Sequence, residues 1–320
     1  MAKTPNSLVA TFFDLLSFLI LDSTSSLSPS ARPTILCFGE ILWDFLPSGF
    51  FPGGAPFNVG YHLHQLDTEV RLISALGRDR LGNELIRQLK HWGINTDTLT
   101  VHQGLATGTV IADLSTSGDA HYEITPSVAW DQILITEACV RAASSARAVV
   151  FGSLAQRCPF NRSALERLNT VLPPSAWRVF DVNLRAPHDD LDLVRDLAAH
   201  VNLLKLNATE AARLALGTDE EPPGSEEAMA RAIAADRQCP IICITAAERG
   251  AGLLMNGQWH WEAGRPVAVA DTVGAGDAFL ARLLSLLLRG DISPAECLAS
   301  ACRHGEWVAS QIGATPAYTR

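Results

Sequence analysis

Lysine is nearly absent from this 320-residue chain. Lys3, Lys90 and Lys205 are the only three, and with 25 lysines and arginines against 34 acidic residues the net charge is −9. A chain of that balance repels polyanions on average, which argues against nucleic acid as a partner. A small phosphorylated ligand remains compatible, because backbone amides and one or two cations can hold it locally. The seven cysteines are an odd number without metal-type spacing, and they read as small buried hydrophobes of a reducing cytoplasm. Nothing reaches the about 20 apolar residues that span a bilayer. The nearest stretch, residues 8–21, is interrupted by polar residues including Asp14 and preceded by a single lysine, which also argues against an export signal. Long low-complexity tracts and internal repeats are missing too, and their absence excludes fibrous and solenoid architectures.

What is present is the composition of a soluble enzyme, 48% hydrophobic and 18% charged. A chain of this length buries about 75% of its unfolded surface. Residues 1–33 read as an N-terminal appendage whose last part, 23–33, is a Ser- and Pro-rich linker. From Thr34 to residue 320 one domain is expected, in which short apolar runs (35–38, 70–75, 148–154, 179–182, 201–206 and 241–245) alternate with amphipathic stretches (81–92, 162–171 and 226–235). That rhythm predicts an α/β fold, a doubly wound and mostly parallel sheet flanked by helices, with its ligand beyond the carboxyl ends of the strands. Residues 43–52 and 107–125 break it. The second stretch holds two alternating segments, 107–114 and 120–124, around a polar turn at 115–119, and both pieces are assigned to a small inserted β lid.

The strongest chemical signal is the nonapeptide Asp271-Thr272-Val273-Gly274-Ala275-Gly276-Asp277-Ala278-Phe279, which follows the apolar run 267–270 and opens a helix over 279–288. Glycines between strand and helix let unblocked amides converge on an anion, and the helix start adds partial positive charge. A carboxylate beside such a site can take the proton of an attacking hydroxyl. The same residues also suit a tight turn with Asp277 as helix cap.

This nonapeptide resembles the C-terminal signature of the ribokinase-like (PfkB) carbohydrate kinases, Asp-Thr-x-Gly-Ala-Gly-Asp, at every fixed position. The resemblance runs from about Thr34 to Pro316. It implies that Gly274, Ala275 and Gly276 form an anion hole and that Asp277 is the catalytic base. A second match is Gly39-Glu40-Ile41-Leu42-Trp43-Asp44 followed by Gly53-Gly54-Ala55-Pro56-Phe57-Asn58. Asp44 and Asn58 have the donors and acceptors that sugar hydroxyls need, and the resemblance puts both on the sugar with Gly54 in the lid hinge.

Further matches lie between these two. In Asp181-Val182-Asn183-Leu184-Arg185 and Lys205-Leu206-Asn207-Ala208-Thr209-Glu210, Arg185 and Lys205 are candidates to neutralise nucleotide or transferring phosphate. Lys205 lies in an apolar run, where it needs a partner. The Asn207–Glu210 spacing fits either water ordered around a Mg²⁺–nucleotide, as the resemblance implies, or a helix capping box. Thr245 and Gly250 match a loop that lines nucleotide phosphates in the family, but Ala247 stands where the family has its first glycine. A left-handed backbone there would cost alanine about 1 kcal/mol. Gly313-Ala314-Thr315-Pro316 resembles the family's terminal stretch, which implies a potassium site beside Asp271.

The resemblance therefore predicts ATP, Mg²⁺ and a sugar as ligands, with a homodimer formed through the lid. Ala55 replaces the lysine of the branches that read Gly-Gly-Lys-Gly-x-Asn, which favours an unphosphorylated sugar. Together with Ala129-Trp130-Asp131, the N-terminal motifs look most like bacterial fructokinase-type members, with branches acting on 2-keto-3-deoxygluconate as the neighbouring alternative. A catalytically silent sugar-binding regulator is the alternative of another class, opposed by the retained Asp277. A nicotinamide-dependent dehydrogenase would need Gly-x-Gly-x-x-Gly after its first strand, and residues 39–44 do not supply it.

Overall fold

The computed structural model describes residues 33–46, 49–114, 120–222 and 224–318. The expected appendage, apart from Pro33, and the turn at 115–119 lie outside them. In chain order, β1 (Thr34–Phe38), β2 (Leu42–Leu46) and β3 (Gly49–Gly53) precede α1 (Ala55–Gln65), β4 (Glu69–Gly77), α2 (Arg80–His91), β5 (Leu99–His102), β6 (Gly108–Leu114) and β7 (Ala120–Ile124). Then come α3 (Glu137–Ala143), β8 (Ala148–Gly152), α4 (Pro159–Val171), β9 (Trp177–Asp181), α5 (Leu191–Ala198), β10 (Leu203–Asn207), α6 (Ala208–Leu216) and α7 (Glu226–Arg237). The chain continues through β11 (Ile241–Thr245), β12 (Gly250–Met255), β13 (Gln258–Ala263), α8 (Ala275–Arg289) and α9 (Pro294–Ala309).

Nine strands form one sheet in the order β13-β12-β11-β10-β9-β8-β1-β4-β5. From β5 to β11 the pairs are parallel, and only the β11–β12 and β12–β13 pairs are antiparallel. Successive residues of a strand point to opposite faces, and β1 accordingly feeds two cores. Ile35 and Cys37 join the cluster under α1 and α8, whereas Leu36 and Phe38 join the cluster under α4, α6 and α7. Burial on both faces explains why these strands read as continuous apolar runs. The expected second sheet is present, with order β3-β2-β6-β7 and a parallel β2–β6 pair between two antiparallel ones. No helix among the described residues is long and apolar enough to cross a membrane.

Most boundaries shift by one to three residues from expectation, and three differences bear on the site. The run 148–154 stops being a strand at Gly152, where Leu154–Arg157 turns into a 3₁₀ segment. The helix expected over 279–288 starts four residues earlier, so Gly276 and Asp277 lie inside its first turn. The run 267–270 is no strand at all. Pro266 offers no amide, Val269 is 62% exposed, and Ala270 and Asp271 both donate to the Ala309 carbonyl at the end of α9.

Candidate active site

A cleft of about 390 Å³ opens above the carboxyl ends of the parallel strands, within the range of small-molecule sites. β1 delivers Glu40, β8 delivers Ser153, and β9 delivers Asn183 and Arg185, each one to four residues past the strand end. The small sheet adds Asp44 from β2 and Val110 from β6, and the start of α1 adds Gly54, Ala55 and Asn58. Thr272, Val273, Gly274, Gly276 and Asp277 close the opposite side.

Asp277 is buried, and its Oδ2 accepts a 2.8 Å hydrogen bond from Asn58 Nδ2. The two residues are 219 apart in sequence, so the two strongest motifs meet through one bond. Burial, reinforced by the Asp181 charge, pushes the Asp277 carboxyl up to about 6, while Asn58, Lys205 and Arg185 pull the other way. The cap position of α8 belongs to Gly274, in the left-handed conformation at φ 79°, and Asp277 lies three residues further on. Helix geometry leaves the amides of Gly276 and Asp277 without an acceptor one turn back. Ala275 differs: its amide donates to the Thr272 carbonyl at 3.3 Å, and it does not line the cleft. A Cβ on Gly274 would sit 2.6 Å from Ala314 Cβ, so only glycine permits that approach.

Lys205 has the partner its apolar surroundings require. It pairs in register with Asp181 of the neighbouring strand, and Nζ donates to both carboxylate oxygens at 2.8 and 3.0 Å. Burial alone would depress the ammonium, but Asp181 outweighs it and raises it above its ordinary value. The same Nζ lies 3.5 Å from where a Cβ on Gly276 would be, so the cation faces the glycine turn.

Two more carboxyls border the cleft. Burial pushes Asp44 and Glu40 each up to about 7. Glu40 Oε1 accepts from the Ala55 amide at 3.1 Å, and Gly54, at φ 111°, packs so tightly on the Glu40 carbonyl that a Cβ would come within 2.4 Å. Arg185 lines the cleft with its Nη1 donating to the Leu184 carbonyl.

The residues assigned to the nucleotide group beside the cleft. Asn207 and Thr245 are register partners at the carboxyl ends of β10 and β11, and Gly250, at φ 122°, begins β12. Asn207 and Glu210 form a capping box: Asn207 Oδ1 accepts from the Glu210 amide and Glu210 Oε2 from the Asn207 amide, both at 2.8 Å. Glu210 Oε1 also accepts from the Leu184 amide at 2.7 Å. Asp271 likewise spends both oxygens on amides, those of Val273 and Gly313. Among the described residues no group of three or more His, Cys, Asp or Glu could hold a metal ion. Ala247 adopts φ 50°, so the lost glycine does leave alanine in the left-handed region.

Glu40, Asp181 and Asn183 were not singled out from the sequence. A signal for Asp181 existed, since a lysine in a buried strand demands a carboxylate in register on a neighbouring strand.

The family model "pfkB family carbohydrate kinase" matches residues 48–319. A fructokinase of Klebsiella pneumoniae is 26% identical over 261 residues, covering 78% of this chain and 83% of that protein. The structure of a Vibrio cholerae fructokinase with fructose, ADP and calcium superposes with a TM-score of 0.76 at 22% identity, covering 89% of this chain and 95% of that one. A 2-dehydro-3-deoxygluconokinase of Thermotoga maritima also gives 0.76, at 20% identity over 88% of this chain and 95% of its own.

Proposed function

The chain belongs to the pfkB family of carbohydrate kinases, and from that premise we propose that it transfers the terminal phosphoryl group of ATP to an unphosphorylated sugar, with fructose the favoured acceptor and Asp277 the base. The observation that carries this reading is the buried Asp277–Asn58 contact, which puts a carboxylate raised to about 6 between the sugar-side motif and an anion-binding turn. At neutral pH that carboxylate is ionised yet more basic than an exposed one. Asp44, Asn58 and the backbone at Gly54 hold the sugar, and Asp277 takes the proton of the attacking hydroxyl. The sugar oxygen bonds to the γ-phosphorus as the bond to the bridging oxygen breaks, and ADP leaves with that electron pair. The Gly274 and Gly276 amides with Lys205 meet the charge on the transferring group, while Thr245 and Gly250 border the nucleotide.

Mg²⁺ fits a site without a protein cage, since it keeps several waters and binds largely through the nucleotide phosphates. Glu210, its two oxygens already on amides, would meet it through water. A monovalent cation would sit beside Asp271, whose oxygens already accept from the Val273 and Gly313 amides.

Ala55 in the cleft wall supplies no cation for a sugar phosphate, which supports a neutral acceptor. One observation favours a second reading: Arg185 lines the cleft and suits the carboxylate of 2-keto-3-deoxygluconate. Initial rates of sugar-dependent ADP release over a panel of acceptors decide. Fructose should give the highest kcat/KM; a higher value for the acid sugar installs the second reading, and the absence of sugar-dependent ADP release with every acceptor refutes both. Dimerisation through the small sheet, where Phe50 and Ile111 are exposed, is part of the proposal, and a monomer in sedimentation would remove it.

A further inference from the structure

The segment Gly313–Tyr318 crosses beside the glycine turn and is fastened at Gly313, Ala314, Pro316 and Tyr318. The Gly313 amide donates to Asp271 Oδ2 at 3.0 Å, and Ala314 packs on Gly274 with no room for a side chain between them. Tyr61 Oη donates to the Pro316 carbonyl at 2.8 Å. His62 Nε2 lies 2.9 Å from the Ala314 carbonyl, His62 Nδ1 lies 2.7 Å from Tyr318 Oη, and His304 Nε2 lies 2.7 Å from the same phenol oxygen.

The direction of each bond follows from what the atoms can do. A carbonyl only accepts, so His62 Nε2 carries the proton that bonds Ala314. Burial holds His62 down to about 3 and His304 down to about 4, so both rings are neutral and each has one N–H. His62 Nδ1 is then an acceptor, and Tyr318 Oη–H donates to it. A phenol has one proton, so its second contact must be the His304 Nε2–H donating to the phenol oxygen. The chain runs one way, from His304 through Tyr318 and His62 to the Ala314 carbonyl.

α1 joins this chain to the acceptor side. Asn58, Tyr61 and His62 are spaced three and four residues apart, hence on one face. Asn58 meets Asp277 while Tyr61 and His62 meet the strap. Resting on the kinase reading above, we propose that Gly313–Tyr318 is a strap that sets the position of the turn from Asp271 to Asp277, and that His62 and Tyr318 are its positioning residues. Neither touches substrate in this account; both act through Ala314.

The test uses Tyr318→Phe, His62→Leu and His62→Gln in the full chain, with sugar-dependent ADP release and hydrogen exchange of the Val273 and Ala275 amides as separate readouts. Tyr318→Phe and His62→Leu should lower kcat by about 10- to 100-fold, as expected for misplaced reacting groups, with the sugar KM within about twofold of the parent. The two amides should exchange faster in both. Glutamine keeps a donor near the Nε2 position, so His62→Gln should recover most of the lost kcat. Unchanged kcat per folded site overturns the proposal, as does lost activity that tracks only the folded fraction. If the parent released no ADP with any sugar, the kinase reading would fall by itself. The exchange rates would still judge the strap, with unchanged rates refuting it.

Discussion

Replacing Asp277 by asparagine should remove turnover while making the protein more stable at neutral pH. Asparagine keeps the size of the side chain and an oxygen to accept from Asn58 Nδ2, so the 2.8 Å contact survives. It cannot take a proton, and loss of a positioned base lowers turnover by ~10²–10⁴-fold. The stability change follows from the carboxyl's environment. An unfolded chain releases this proton near the ordinary aspartate value of 3.8, whereas burial raises the folded value to about 6. Between those values the folded state holds more protons, so stability falls as pH rises through this window and the loss is complete above it. At about 1.4 kcal/mol per unit this amounts to roughly 3 kcal/mol, or about 5 °C in melting temperature for a chain of this size. Asparagine has no such dependence. Melting curves of parent and variant at pH 4 and pH 8, beside turnover and sugar affinity, test both halves. The variant should gain on the parent between the two pH values, with affinity kept and turnover gone. Retained turnover refutes the base; a stability difference that does not move with pH refutes the electrostatic argument.

Lys205→Met should cost about 3–5 kcal/mol, because it leaves Asp181 buried without its cation; adding Asp181→Asn should return part of that in denaturant titrations, and an undiminished single variant would contradict the pair's role. Gly54→Ala forces a Cβ to within 2.4 Å of the Glu40 carbonyl. Shifting the loop at a strain of ~1–3 kcal/mol should raise the sugar KM by about tenfold or more, and an unaltered KM would mean that the loop does not hold the sugar. Saturating sugar should slow amide exchange in β6, whose Val110 faces the cleft; no change would remove the closing role of the small sheet. Ala247→Gly should stabilise the fold by about 0.5 kcal/mol, since relief of the left-handed alanine slightly exceeds the extra entropy of unfolded glycine, and a lower melting temperature would show that the φ of 50° carries no strain.

Periodicity sufficed for the strands because burial on both faces writes itself as an unbroken apolar run, and Ile241–Thr245 emerged with the expected boundaries. The same signal misled at 267–270, where valine and alanine are apolar yet exposed, and where a proline and the grip of α9 decide the path. At the site, the motifs named Asp277 and Asn58 but not their bond, because contact across 219 residues is a property of the sheet order. Asn207 and Glu210 illustrate a different limit. Their spacing fitted a cap better than a water-ordering pair, and the capping geometry that is present leaves room for both, since a carboxylate oxygen has more than one lone pair.

Glu210 links two places that a ligand would treat as separate. One carboxylate oxygen holds the start of α6, at the carboxyl end of β10, and the other holds the Leu184 amide between Asn183 and Arg185, at the cleft. Any ligand that draws on this carboxylate from one side therefore alters the grip on the other, and by thermodynamic reciprocity the second ligand must act back on the first with equal free energy. On the proposed reading, in which nucleotide and sugar bind on the two sides of Glu210, a single buried side chain would make their affinities functions of each other.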